Sequence, residues 1–118
     1  MHGGVTELHV VESMHERKMM MAERADAFII IPGGFGTLEE FFEIVSWRQL
    51  GLHDKPVIIL NAHGYWDRLI GLMDGMIDAG FATPRHREAY TVVNTAEEVA
   101  VLLKNIKETE NTLQLERI

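Results

Sequence analysis

The stretch that most constrains this chain is an apolar run followed at once by a glycine turn. Ala27-Phe28-Ile29-Ile30-Ile31 leads into Pro32-Gly33-Gly34-Phe35-Gly36-Thr37-Leu38-Glu39-Glu40. Five apolar residues of strand length suggest a strand buried on both faces. The proline and glycines stop it, and a helical pattern follows from about Thr37 to Gln49. Strand, glycine turn and helix start form the layout of an anion site. Glycine lets the backbone approach the anion, and the helix N-terminus offers N–H groups at the positive end of its dipole. Gly33, Gly34 and Gly36 are the candidate cradle, with the Thr37 hydroxyl as a further donor. No lysine follows the last glycine, so this is not a Walker A loop, and the spacing is not that of the dinucleotide fingerprint. A plain strand-to-helix turn is the alternative reading.

Glu39 and Glu40 do not suit a site that only holds phosphate. As acidic residues of a first helical turn they would favour the dipole, by roughly 0.3–1 kcal/mol each. That accounts for one of them. A carboxylate beside a bound phosphate is repelled unless it faces another part of the ligand. Ribose hydroxyls, or an anomeric carbon becoming cationic, are two such parts. A phosphate cradle with an adjacent glutamate therefore points to a ribose 5-phosphate unit whose glycosidic bond is cut.

The remaining elements follow from periodicity and punctuation. Residues 6–11 alternate weakly as a strand. Ser13 and Glu16 fit a capping box that opens a helix over Met14 to Ala25. In the helix after the glycine turn, Leu38, Phe41, Phe42 and Val45 form the expected apolar face, and Gly51 ends it. A buried strand covers Pro56 to Leu60. A helix from Tyr65 to Ala79, with Leu69, Leu72, Met73 and Met76 inward, stops at Gly80. After a long connection over Phe81 to Glu88, Tyr90 to Val93 is the fourth strand. A capping box from Thr95 to Glu98 opens a last helix to about Ile106. Residues 1–106 thus read as one domain and residues 107–118 as a polar, frayed tail.

Four alternations of strand and helix mean an α/β fold, a Rossmann-like parallel sheet with helices on both faces. Ligands of such sheets sit at the carboxyl ends of the strands. Arg17, early in the helix after the first strand, and Glu40, early in the helix after the second, should line that edge; Arg17 and Lys18 are the basic candidates for substrate contact, with a plainly solvated helix face as the alternative. Arginine is too weak an acid to donate a proton at neutral pH. Its expected work is to orient Glu40 or to hold substrate.

Composition narrows the function classes. A net charge of -7 over 118 residues argues against nucleic-acid binding. No apolar run approaches the roughly 20 residues of a membrane span. The sequence has no cysteine, which removes disulfide and thiolate chemistry and fits a reducing compartment; a cytoplasmic location is the default. The six histidines show no metal-ligand spacing, so neither a metal nor another cofactor is expected. Trp47 and Tyr65 could stack on a base, with core packing favoured for Trp47.

Met14-His15-Glu16-Arg17-Lys18, Arg24-Ala25-Asp26-Ala27-Phe28 and the run from Pro32 to Glu40 closely resemble the Lonely Guy family. Trp47, Gln49-Leu50-Gly51, His53-Asp54-Lys55-Pro56-Val57 and Asn61 followed by Gly64-Tyr65 extend the likeness, which covers about Gly4 to Lys104. Proteins of that family are cytokinin riboside 5′-monophosphate phosphoribohydrolases, often labelled lysine decarboxylases. The resemblance implies a homodimeric, Rossmann-like enzyme that hydrolyses a nucleoside 5′-monophosphate to free base and ribose 5-phosphate. It places the catalytic pair on Arg17 and Glu40. Phosphate and ribose binding falls on Gly33, Gly34, Gly36, Thr37 and Glu39, and Ser46 stands where the family often has a threonine near the nucleotide. Family members begin with a strand–loop–helix unit bearing a further glycine-rich loop. This chain is expected to start beyond that unit, as an N-terminally shortened form. A nucleotide-binding remnant without turnover is the alternative, and a pyridoxal-dependent lysine decarboxylase a distant third.

Overall fold

The computed structural model describes residues 8–11 and 25–116, with side chains described for residues 25–106. The expected helix over Met14 to Ala25, with its capping box, falls almost wholly outside them. Four strands form one parallel sheet in the order of the chain: β1 (Leu8–Val11), β2 (Ala27–Ile30), β3 (Val57–Leu60) and β4 (Thr91–Val93). The register pairs Val10 with Ile29, Ile29 with Ile58 and Ile58 with Thr91. All four carboxyl ends therefore lie along one edge.

Helix α1 (Phe35–Gln49) joins β2 to β3, α2 (Asp67–Asp78) joins β3 to β4, and α3 (Ala96–Glu116) follows β4. Right-handed crossovers that step repeatedly in one direction put successive helices on the same face. Accordingly Phe28, Ile30, Val57 and Ile59 pack with Phe41 and Ile44 of α1 and Met73 of α2. The alternate residues Ile29, Ile58 and Val93 face the other way and meet Val99, Leu102 and Leu103 of α3. The apolar runs of β2 and β3 are thus explained by a sheet covered on both faces.

Several expectations need correction. Helix α1 begins at Phe35, two residues before Thr37, with Gly34 as N-cap. Its core stripe is Thr37, Glu40, Phe41 and Ile44. Phe42, expected inward, is 42% exposed. On α2 the buried residues are Met73 and Ile77, while Leu72 is 60% exposed. The connection before β4 contains a 3-10 helix, Pro84–Ala89, held to α2 by Arg87, whose guanidinium spans Asp74 at 3.1 Å and Asp78 at 3.3 Å. The last helix does not end near Ile106, since its backbone stays helical through Glu116.

The helix stops behave as expected. Gly51 (φ 78°) and Gly80 (φ 85°) adopt the left-handed conformation that a side chain disfavours. The Leu52 N–H returns to the Trp47 carbonyl at 2.9 Å and the Phe81 N–H to that of Met76 at 2.9 Å, closing each helix end. At the start of α3 the Glu98 N–H donates to the Thr95 hydroxyl at 3.1 Å. The Glu98 carboxylate accepts from the Asn94 N–H rather than from that of Thr95, a shifted form of the expected box.

Candidate active site

The carboxyl edge of the sheet carries two adjoining structures, the turn after β2 and the loop after β3. In the turn, Gly33 is required by packing. A Cβ there would lie 2.2 Å from Thr37 Oγ1. Thr37 is buried beneath Gly33 and belongs to the inner face of α1. Among the described residues, none other than the chain neighbours of Gly34 has an atom within 4 Å of where a Cβ on it would stand. The N-cap Gly34 has no side chain to cap α1, and the first backbone bond of the helix runs from the Leu38 N–H to the Gly34 carbonyl at 3.2 Å. The Phe35 and Gly36 amides stand ahead of that ladder, as an anion site requires.

The early start of α1 changes the reading of the two glutamates. There is no acidic residue in its first turn. Glu39 and Glu40 lie in the second, where the dipole's influence has faded, so neither is explained by it. They also differ in setting. Glu39 is solvent-exposed, whereas Glu40 is 2% exposed and faces the sheet. A buried carboxylate one turn past Thr37 is costly to desolvate and needs a structural or chemical role.

The loop after β3 is tied by a side chain the sequence did not single out for structure. Buried Asn61 accepts the Trp66 backbone N–H through Oδ1 at 2.6 Å and donates through Nδ2 to Asp67 Oδ1 at 2.8 Å. Between them His63 (φ 54°) and Gly64 (φ 70°) turn the chain sharply. Tyr65 follows, and its hydroxyl donates to the Gly33 carbonyl at 2.6 Å. The two loops are therefore joined across the edge of β2 and β3. In the sequence Asn61 to Gly64 reads as an ordinary loop and Tyr65 as the start of the next helix, whereas that helix begins at Asp67 and Tyr65 belongs to the loop edge.

Other expected residues are placed differently. Ser46 is exposed and lies about 15 Å along α1 from Gly36, at 1.5 Å per residue. It does not join the glycine turn of its own chain. Instead it stands in the wall of a groove of about 230 Å³ between α1, α2 and the segment before β4, where Phe42, Val45, Met73, Met76 and Tyr90 also contribute. Burial, more than the nearby Asp74, raises the Tyr90 phenol above its ordinary pKa. Arg17 and Lys18 lie outside the described residues. Trp47 packs half-buried against the core and Tyr65 sits at the edge with its ring upright on Trp66, centroids 4.8 Å apart.

Residues 1–103 match the model of a family described as possible lysine decarboxylase. The chain belongs to that family. Among the relatives of this chain, the cytokinin riboside 5′-monophosphate phosphoribohydrolase LOG3 of Arabidopsis thaliana is 46% identical over 104 residues, covering 88% of this chain and 47% of that one. The cytokinin riboside 5′-monophosphate phosphoribohydrolase of Rhodococcoides fascians is 49% identical over 96 residues, covering 81% and 48%. A probable enzyme of the same name, LOGL9 of Oryza sativa subsp. japonica, is 51% identical over 86 residues, covering 73% and 38%. This member of the possible lysine decarboxylase family thus spans about half the length, or less, of these curated relatives.

Proposed function

We propose that the chain hydrolyses the N-glycosidic bond of purine nucleoside 5′-monophosphates of the cytokinin type, releasing free base and ribose 5-phosphate. The observation that carries this reading is the burial of Glu40 directly behind an uncapped, glycine-lined helix start. Relatives named for this reaction support it.

In this reading the amides of Gly34 and Gly36 receive the 5′-phosphate, with the Thr37 hydroxyl supporting the turn from below. Lys18 adds charge to the phosphate, and exposed Glu39 accepts from ribose hydroxyls. The bond from C1′ to the base nitrogen breaks with its electron pair going to the base. The ribosyl carbon becomes cationic as the pair leaves, and the Glu40 carboxylate stabilises that charge. Water supplies the oxygen that closes on C1′ and the proton that the departing base takes up. Arg17 holds Glu40 or the substrate in place.

A homodimer goes with this reading. Phe42, an exposed apolar side chain, lines the groove between α1 and α2, and Leu72 of α2 is exposed as well, apolar surface suited to a second copy. Ser46, too far from its own glycine turn, would then be available to the other copy's nucleotide. A cytoplasmic location fits the cysteine-free sequence.

The test is incubation with AMP and with isopentenyladenosine 5′-monophosphate, followed by chromatography for free base. Base release that is lost in Glu40→Gln supports the mechanism, and release unchanged in that variant sinks it. Nucleotide binding without release by the unaltered chain would favour the binding-only alternative.

A further inference from the structure

We propose that Tyr65 is a positioning residue that latches the Gly33–Gly34 peptide and so sets the direction in which the Gly34 amide donates to phosphate. This rests on the nucleotide reading above and adds to it a residue from the neighbouring loop.

A peptide with glycine on both sides is the easiest to rotate, because neither residue has a Cβ to resist the change in ψ of the first and φ of the second. Left alone, the Gly33–Gly34 plane would sample orientations that turn its N–H away from a ligand. The Tyr65 hydroxyl removes that freedom by donating to the Gly33 carbonyl at 2.6 Å. In a planar trans peptide the carbonyl and the N–H point in opposite directions. Holding the Gly33 oxygen toward Tyr65 therefore directs the Gly34 N–H away from it. Among the described residues, none beyond the chain neighbours comes within 4 Å of a Cβ position on Gly34, which leaves room for a ligand oxygen to approach the backbone.

The latch is mounted on a firm base. The Tyr65 ring stands edge-on against Trp66, with an interplanar angle of 86°. Trp66 is buried, and its N–H is held by Asn61, which in turn donates to Asp67. Asn61 itself follows β3 directly, its N–H bonded to the Val93 carbonyl at 2.7 Å. Tyr65 is thus referenced to β3 and β4, while the glycine turn belongs to β2. Although the Tyr65 residue is 54% exposed, its hydroxyl bonds to the Gly33 carbonyl.

Tyr65→Phe tests the proposal, since it keeps the ring on Trp66 and removes only the hydroxyl. In the isotope-labelled full chain without ligand, the Gly33 carbonyl carbon and Gly34 amide resonances should move or broaden while those of α2 stay in place. If both stay unchanged, the latch is overturned, whatever the chain binds. By calorimetry the variant should bind AMP about five- to tenfold more weakly, the scale of one lost hydrogen bond, and adenosine as the unaltered chain does. Equal weakening for both ligands means general damage to the loop and overturns the positioning role, as does unchanged AMP affinity. If the unaltered chain binds no AMP, the nucleotide reading and the phosphate role fail together, and the resonance result alone decides whether the latch exists.

Discussion

Thr37 Oγ1 occupies the place where a side chain on Gly33 would begin, 2.2 Å from an ideal Cβ. The two residues are four apart, one on the turn and one on the first turn of α1, and their contact sets how closely the turn lies on the helix. Gly33→Ala should cost about 1–3 kcal/mol, the usual range for overpacking, measured by urea unfolding. Gly33→Ala combined with Thr37→Ala should recover part of it. Gly34→Ala, whose Cβ would meet no described residue within 4 Å beyond its chain neighbours, should cost less than Gly33→Ala and act chiefly on nucleotide affinity.

Glu39 and Glu40 are neighbours in sequence with opposite exposure, and they should respond oppositely to neutralisation. Glu40→Gln should lower base release from AMP by about a hundredfold or more, the scale on which a preorganised transition-state contact acts. Glu39→Gln should show its effect mainly in KM. Steady-state kinetics on both variants separates the two. Equal losses in kcat would remove the distinction drawn between them.

The cross-tie of Asn61 predicts a stability effect away from the glycine turn. Asn61→Ala leaves the Trp66 N–H without its acceptor and Asp67 without its donor. A loss of about 2 kcal/mol is expected in urea unfolding, on the scale of a buried donor left unsatisfied. Asn61→Asp keeps an acceptor for Trp66 but sets a second carboxylate against Asp67, and should recover little.

Tyr90 gives the fold a dependence on alkaline pH. Burial favours the neutral phenol and raises its folded pKa above the ordinary value of 10.0. The unfolded phenol ionises first as pH rises past about 10, so the unfolded state is favoured over that interval. Stability is fully present below pH 10 and falls as pH climbs toward the folded pKa. Urea midpoints measured between pH 9 and pH 11 should drop less steeply in Tyr90→Phe.

The sheet and the glycine turn were legible in the sequence because their signals are local. The apolar runs of β2 and β3 are short, uninterrupted and bounded by Asp26 and Pro32 in one case and by Pro56 and Asn61 in the other. Gly51 and Gly80 mark their helix ends for a steric reason that needs no partner. The inward faces of the helices were not legible to the same degree. On α1 the observed stripe is the expected one turned by a single position, about 100°. Phe42 misled because it is as apolar as Phe41 and Ile44, yet it lines the groove rather than the core. Leu72 misled on α2 because it is as apolar as Met73, yet it is 60% exposed. Periodicity reports that a residue is apolar and not which of two neighbouring surfaces receives it. The site divides similarly. The turn and Glu40 are contiguous and could be read together, whereas the bond from Tyr65 to Gly33 joins residues 32 apart. Asn61, Trp66 and Asp67 combine through backbone geometry that no pattern of side chains announces.

The strand order has a consequence for how the chain is made. Since the sheet runs β1, β2, β3, β4 without a reversal, each strand leaving the ribosome finds the preceding one as its edge partner. Each intervening helix then has a surface to cover as soon as the next strand arrives. No earlier strand has to wait for a later segment to pass beneath it, so assembly can follow synthesis from one end to the other. Tyr65 follows the glycine turn and Glu40 in the chain, so the bond between the two loops comes as a late fastening across the edge.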